Sequence, residues 1–132
     1  MKRFAACLAL LVLSPLCRAQ TWAEVKQGAF AVPKESLVQI QATLEQRVAA
    51  STHFGTTPPH PWRNYLIQYQ GATIRGRRAI EIHGSCRFDD AKFDSRSAFY
   101  DERVSDGGDC YFMVYFLIKT KRYSNVTFHG LA

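Results

Sequence analysis

Cys110-Tyr111-Phe112-Met113-Val114-Tyr115-Phe116-Leu117-Ile118 is the stretch that decides the fold. Side chains of an extended strand alternate between faces, so Cys110, Phe112, Val114, Phe116 and Ile118 fall on one side and Tyr111, Met113, Tyr115 and Leu117 on the other. Both sets are apolar, which puts this strand in the middle of a sheet. After it, Lys119 to Arg122 reads as a turn. Val126 and Phe128, alternating with Asn125, Thr127 and His129, then predict a last strand at an edge. Before it, Tyr65, Ile67 and Tyr69 alternate with Leu66, Gln68 and Gln70 in a strand that runs to about Ile74. A turn at Arg75-Gly76-Arg77 leads into a half-buried strand with Ile80, Ile82, Gly84 and Cys86 on one face and Glu81, His83 and Ser85 on the other.

Upstream the period changes. Leu37, Ile40, Leu44 and Val48 recur at spacings of 3, 4 and 4, so they share one face of a helix over roughly 33–50, with Pro33 suited to its first turn. Thr21-Trp22-Ala23-Glu24 has the form of a capping box and predicts a short additional helix through Ala29. Residues 51–63, with Gly55 and Pro58-Pro59-His60-Pro61, form a loop from helix to sheet, because proline lacks an amide donor and fixes φ.

Residues 1–19 read as a secretory signal peptide: Lys2 and Arg3, the apolar run Phe4 to Leu13, and Cys17-Arg18-Ala19 as the cleavage site before Gln20. That run is too short for the ~20 residues a membrane span requires, so no membrane span is expected. Cys17 follows Pro15-Leu16, whereas lipidated cysteines normally follow small residues. The remaining 20–132 are enough for one domain with one core. The whole chain carries a net charge of +6, but the leader accounts for Lys2, Arg3 and Arg18; 14 cations against 11 acids leave +3. A charge of that size gives no argument for nucleic acid. Localisation is expected to be periplasmic or secreted.

Removing the leader leaves two cysteines, Cys86 and Cys110, and in an oxidising compartment an isolated pair is most simply a structural disulfide. Closing a loop of that length contributes about 3 to 4 kcal/mol in the chain-entropy model. It also constrains topology. Cys86 closes one strand and Cys110 opens another, and bridged Cα atoms lie within about 7 Å, so the second strand starts where the first finishes. A full strand between them, hairpinned onto the second, would move that start roughly 25 Å away. Residues 87–109 are therefore an excursion that leaves and returns at one end. This insert is acidic, with Asp89, Asp90, Asp94, Asp101, Glu102, Asp106 and Asp109. Its Phe88, Phe93, Phe99 and Tyr100 call for a surface to cover.

The expected fold is α+β: an N-terminal helix packed on a four-stranded antiparallel meander, stapled by Cys86–Cys110. It resembles the cystatin-like architecture, although the cystatin Gln-x-Val-x-Gly signature is missing from the first hairpin, where Arg75-Gly76-Arg77-Arg78 stands, so protease inhibition does not carry over. Asp106-Gly107-Gly108-Asp109-Cys110-Tyr111-Phe112 is similar to a stretch of small exported bacterial proteins that carry no assigned role.

The meander brings the first and last turns to the same end of the sheet, gathering Arg75, Arg77, Arg78, Lys119, Lys121 and Arg122. Clustered guanidinium and ammonium groups can hold carboxylates or phosphates, so this tip is the candidate binding site, against the alternative of solvated hairpin ends. His53, His60, His83 and His129 lack the i, i+4 spacing of helical metal ligands, and neither a metal nor a cofactor is expected. Asp106-Gly107-Gly108-Asp109 reads as a turn rather than a calcium loop. Glu81 and His83 share a strand face and form the candidate acid/base pair of a rival reading as a small enzyme. A third reading is a structural envelope subunit that pairs through its last strand. The leading expectation is a small exported binding protein without catalysis, an inhibitor or immunity-type partner of an envelope enzyme, whose own partner is a protein or another anionic envelope component.

Overall fold

The computed structural model describes residues 20–51, 60–86, 92–103 and 108–129. The predicted signal peptide and the first half of the predicted turn, Asp106-Gly107, lie outside the described residues, whereas its second half, Gly108-Asp109, opens a strand instead. In chain order the elements are strand β1 (Thr21–Glu24), helix α1 (Lys34–Ala49), β2 (Leu66–Ile74), β3 (Arg77–Ser85), β4 (Gly108–Leu117), β5 (Arg122–Tyr123) and β6 (Thr127–His129), with single 3-10 turns at Trp62–Asn64 and Asp101–Arg103. The fold is α+β, and Cys86–Cys110 is formed with Cα atoms 5.0 Å apart.

The alternating segments form the core of the sheet as the sequence implies. β2 pairs antiparallel with β3, β3 with β4, and β4 with both β5 and β6. The sheet nevertheless has six strands rather than four, and it is mixed rather than purely antiparallel, because β1 lies parallel to β2 with Trp22 opposite Ile67. The Thr21–Glu24 segment is thus a strand and not a capped helix. A capping box gains two local hydrogen bonds, whereas here the same backbone gains a ladder with β2, Ala23 and Val25 become buried, and Glu24 Oε1 accepts from the Val32 amide at 3.0 Å instead of reaching back.

The last strand expected from Asn125 to His129 is the shorter β6, and Arg122, expected in the preceding turn, instead opens an additional two-residue strand, β5. Phe116 opposes Tyr123, but Met113 opposes Thr127, so one extra residue lies between the two paired segments. Ser124 causes the break: its backbone amide donates to the Tyr115 carbonyl at 2.8 Å, and its hydroxyl takes the Tyr115 amide at 2.9 Å.

Helix α1 lies across one face. Ile40, Leu44 and Val48 are fully buried against Tyr65, Ile67, Ile80, Ile82, Phe112, Val114 and Phe116, with Leu37 packed at the margin. Gly84 sits beneath the Phe112 ring, where a β-carbon would collide with ring atoms, so the close approach of β3 and β4 depends on glycine there. Two polar ties fix the helix to the β5 edge: Thr43 Oγ1 with the Tyr123 hydroxyl at 2.8 Å, and Arg47 Nη2 donating to the Ser124 carbonyl at 2.9 Å.

The opposite face is covered too. Phe99 and Asp101 of the insert are buried, as are Leu66, Gln68, His83, Ser85 and Tyr111 of the sheet beneath. β3 is therefore buried on both faces toward the disulfide, not half-buried as its polar residues suggest. Gln68 anchors the cover. Its Nε2 donates to the carbonyls of Ser95 (2.7 Å) and Ala98 (2.8 Å), while its Oε1 accepts from the Tyr100 amide (2.7 Å).

Candidate functional site

The β2–β3 turn is made by Arg75 and Gly76 alone, with φ of 49° and 77°. Two successive residues in the left-handed region are what a type I′ hairpin turn requires, and its twist matches that of the strands it joins. Glycine adopts this region freely, but arginine does not. The β4–β5 turn follows over residues 118–121, with Lys121 at φ 54°. The two turns meet: Ile118 donates its amide to the Arg78 carbonyl at 3.3 Å, and Leu117 opposes both Ala79 and Arg122.

Arg75, Arg77, Arg78, Lys119, Lys121 and Arg122 thus lie at one end of the sheet, and all six are exposed. Arg78 is engaged, its guanidinium 4.0 Å from the centroid of the Phe30 ring, a cation–π contact that anchors the segment between β1 and α1. The other five make no ion pair with a carboxylate among the described residues.

Glu81 and His83 occupy the insert-covered face of β3 and are bonded to each other, His83 Nε2 to Glu81 Oε1 at 2.9 Å. Sequence reasoning missed their further partner. His83 Nδ1 lies 2.7 Å from Asp101 Oδ2, and the same oxygen meets His129 Nε2 at 2.9 Å. The result is a row, Glu81–His83–Asp101–His129, that joins β3, the insert and β6. Phe99 stacks on the His83 ring, centroids 3.7 Å apart and 14° from parallel. The aromatic residues of the insert were the available signal that it covers a surface, but nothing local identifies Asp101 as the acid that turns inward.

No family model, curated protein or solved structure matches the chain.

The chemistry of this row has to be read from its geometry. Burial alone pulls the His83 ring below its ordinary value, but the hydrogen bonds and charges of Asp101 and Glu81 outweigh it and push it up to about 9. At neutral pH His83 is an imidazolium with both N–H groups committed. The His83 hydrogen bond, against the opposing effect of burial and aided by Gln70 Nε2 at 3.0 Å, holds Glu81 below the usual carboxylate range. Glu81 is held as a carboxylate and so lacks the proton a general acid donates, and both ring nitrogens of His83 are taken up by Glu81 and Asp101, so the row fastens the insert to the sheet as an ionic clasp. Asp101 is fully buried, and its Oδ1 has no hydrogen-bond partner among the described residues.

The last-strand candidate for pairing with other chains is short and interrupted. β5 has two residues and β6 three, with Ser124–Val126 off the ladder. Split edges of this kind make poor templates for an added strand. Of the remaining histidines, His53 lies outside the described residues. His60 sits at the disulfide, its nearest ring nitrogen within 4.8 Å of the sulfurs of Cys86 and Cys110, and its ring is edge-on to Tyr65.

Proposed function

We propose that this is a small exported binding protein, periplasmic or secreted, that docks an anionic partner through the hairpin tip formed by Arg75, Arg77, Arg78, Lys119, Lys121 and Arg122 and performs no catalysis of its own. The observation that carries the reading is the meeting of two turns from different hairpins at one end of a rigid sheet, with all six cations exposed. Five of them have no carboxylate partner among the described residues, so they are free to meet one on another molecule. Support for export comes from the leader-like residues 1–19 and from a disulfide of the kind found in oxidising compartments. An envelope enzyme with an acidic surface is the partner this tip suits, in the manner of an inhibitor or immunity protein.

The test is charge reversal at the tip. Arg77, Lys119 and Lys121 are changed together to Glu, leaving Arg78 on Phe30. Exposed charges contribute about 0 to 1 kcal/mol, so unfolding by urea should be nearly unchanged. Wild type and variant are then immobilised and challenged with an envelope extract at low and moderate salt. A partner held by wild type, eluted by salt and absent from the variant supports the reading. A partner retained equally by both defeats it.

A further inference from the structure

We propose that the Cys86–Cys110 pair, when reduced, forms with His60 a zinc site at the open end of the β3–β4 ladder. Two thiolates and an imidazole are a common zinc donor set, and they converge here from three separate parts of the chain. Cys86 follows the last residue of β3, Cys110 is near the start of β4, and His60 precedes the 3-10 turn that feeds β2. That turn is held by backbone bonds from Asn64 to Pro61 (2.9 Å) and Tyr65 to Trp62 (3.1 Å), and by Gln20 Nε2 on the Trp62 carbonyl (2.7 Å). His60 is therefore positioned by structure that does not involve the sulfur–sulfur bond.

The two cysteines are likewise held together without that bond. The Cys86 amide donates to the Cys110 carbonyl at 2.9 Å, and the ladder continues through Ser85–Tyr111 and Gly84–Phe112. On reduction the Cα atoms stay about as close as the 5.0 Å seen with the bond formed. Tetrahedral zinc with bonds of about 2.3 Å to sulfur and 2.0 Å to nitrogen needs donor atoms roughly 3.5 to 4 Å apart. The three donors already lie within 4.8 Å of one another, so rotamer changes alone can close the set.

An external dithiol supplies the reaction that opens the site. Its thiolate attacks the disulfide at Cys86, the more accessible of the two sulfur residues. Its second thiol resolves the mixed disulfide, so the dithiol leaves as its own disulfide while Cys86 and Cys110 become thiols. Zinc then displaces the two thiol protons to solvent and binds both thiolates and the His60 ring, with water in the fourth position. Thiolates favour zinc over magnesium or calcium. This site is at the opposite end of the ladder from the basic tip and does not depend on it.

Cobalt(II) and zinc(II) are the probes. Oxidised protein and protein reduced with a phosphine under argon are titrated with cobalt, with far-UV circular dichroism recorded on each sample. The reduced wild type should bind one cobalt per chain, with a thiolate-to-cobalt charge-transfer band and tetrahedral d–d bands that zinc abolishes, and the oxidised protein should show neither. His60→Ala should weaken binding at least tenfold. X-ray absorption on zinc-loaded wild type should give two sulfur neighbours and the outer-shell scattering of one imidazole. The proposal is overturned if reduced wild type gives no charge-transfer band, whether its dichroism is native or lost. It is equally overturned if the absorption spectrum lacks an imidazole, or if folded His60→Ala binds as tightly as wild type.

Discussion

If the Glu81–His83–Asp101 row is an ionic clasp, the stability of the protein should fall as pH rises from neutral into the alkaline range. The ring of His83 titrates at about 9 in the folded chain and near 6.5 when unfolded. Its proton is therefore bound more tightly by the folded state. The stabilisation is fully present below pH 6.5 and is lost progressively as pH rises through about 9. At about 1.4 kcal/mol per pH unit, that gap amounts to at most about 3.5 kcal/mol. His83 is only 6% exposed, so solvent screens little of it. Glu81 sets the acid limit with the opposite sign: its folded value is lowered, so its contribution is present above about pH 4.5 and fades as pH falls through the lower folded value. The clasp should be strongest between about pH 4.5 and 6.5. Urea unfolding with the disulfide intact, followed by the fluorescence of Trp22 and Trp62 at pH 5.5, 7.5 and 9.5, measures the effect. Asp101→Asn keeps the shape of the side chain but removes one of the two charges on the ring, so its stability should depend less steeply on pH between 6.5 and 9. Equal wild-type stability at pH 5.5 and 9.5, or the same slope in Asp101→Asn, would refute the clasp.

The core and the first turn offer two further predictions. Leu44→Ala and Phe112→Ala should each cost about 2 to 5 kcal/mol in the same urea assay, since both side chains are fully buried between helix and sheet; a negligible cost at both would contradict the packing. Arg75 holds φ at 49°, so Arg75→Asn should raise stability by up to about 1 kcal/mol, visible as a higher melting temperature, because asparagine tolerates the left-handed region that arginine resists.

The clasp also changes the charge picture of the molecule. An acidic insert opposite a basic tip suggests a strong dipole, yet Asp101 is directed into the domain and meets two histidines. Asp89, Asp90 and Asp106 lie outside the described residues. The insert thus acts first as a cover for the sheet, with Gln68, Phe99 and Asp101 making the seal.

Periodicity and covalent geometry were enough to derive the helix from Leu37, Ile40, Leu44 and Val48, the central strands from their alternation, and the order in which β2, β3 and β4 pair. Such patterns are local records of which face is buried, and the disulfide adds one long-range distance that excludes the wrong topology. The meeting of the two basic turns follows from that order. Three features had no such local record. Thr21–Glu24 satisfies a capping pattern on its own, and only the presence of β2 beside it makes the parallel ladder more favourable. Ser124 separates β5 from β6 because its hydroxyl happens to reach the Tyr115 amide. Asp101 becomes the partner of His83 and His129 only when the chain folds back over the sheet, across 18 and 28 residues of sequence. A buried charge is stable only with its counter-charges around it, and which residues supply them is a property of the assembled fold rather than of any segment.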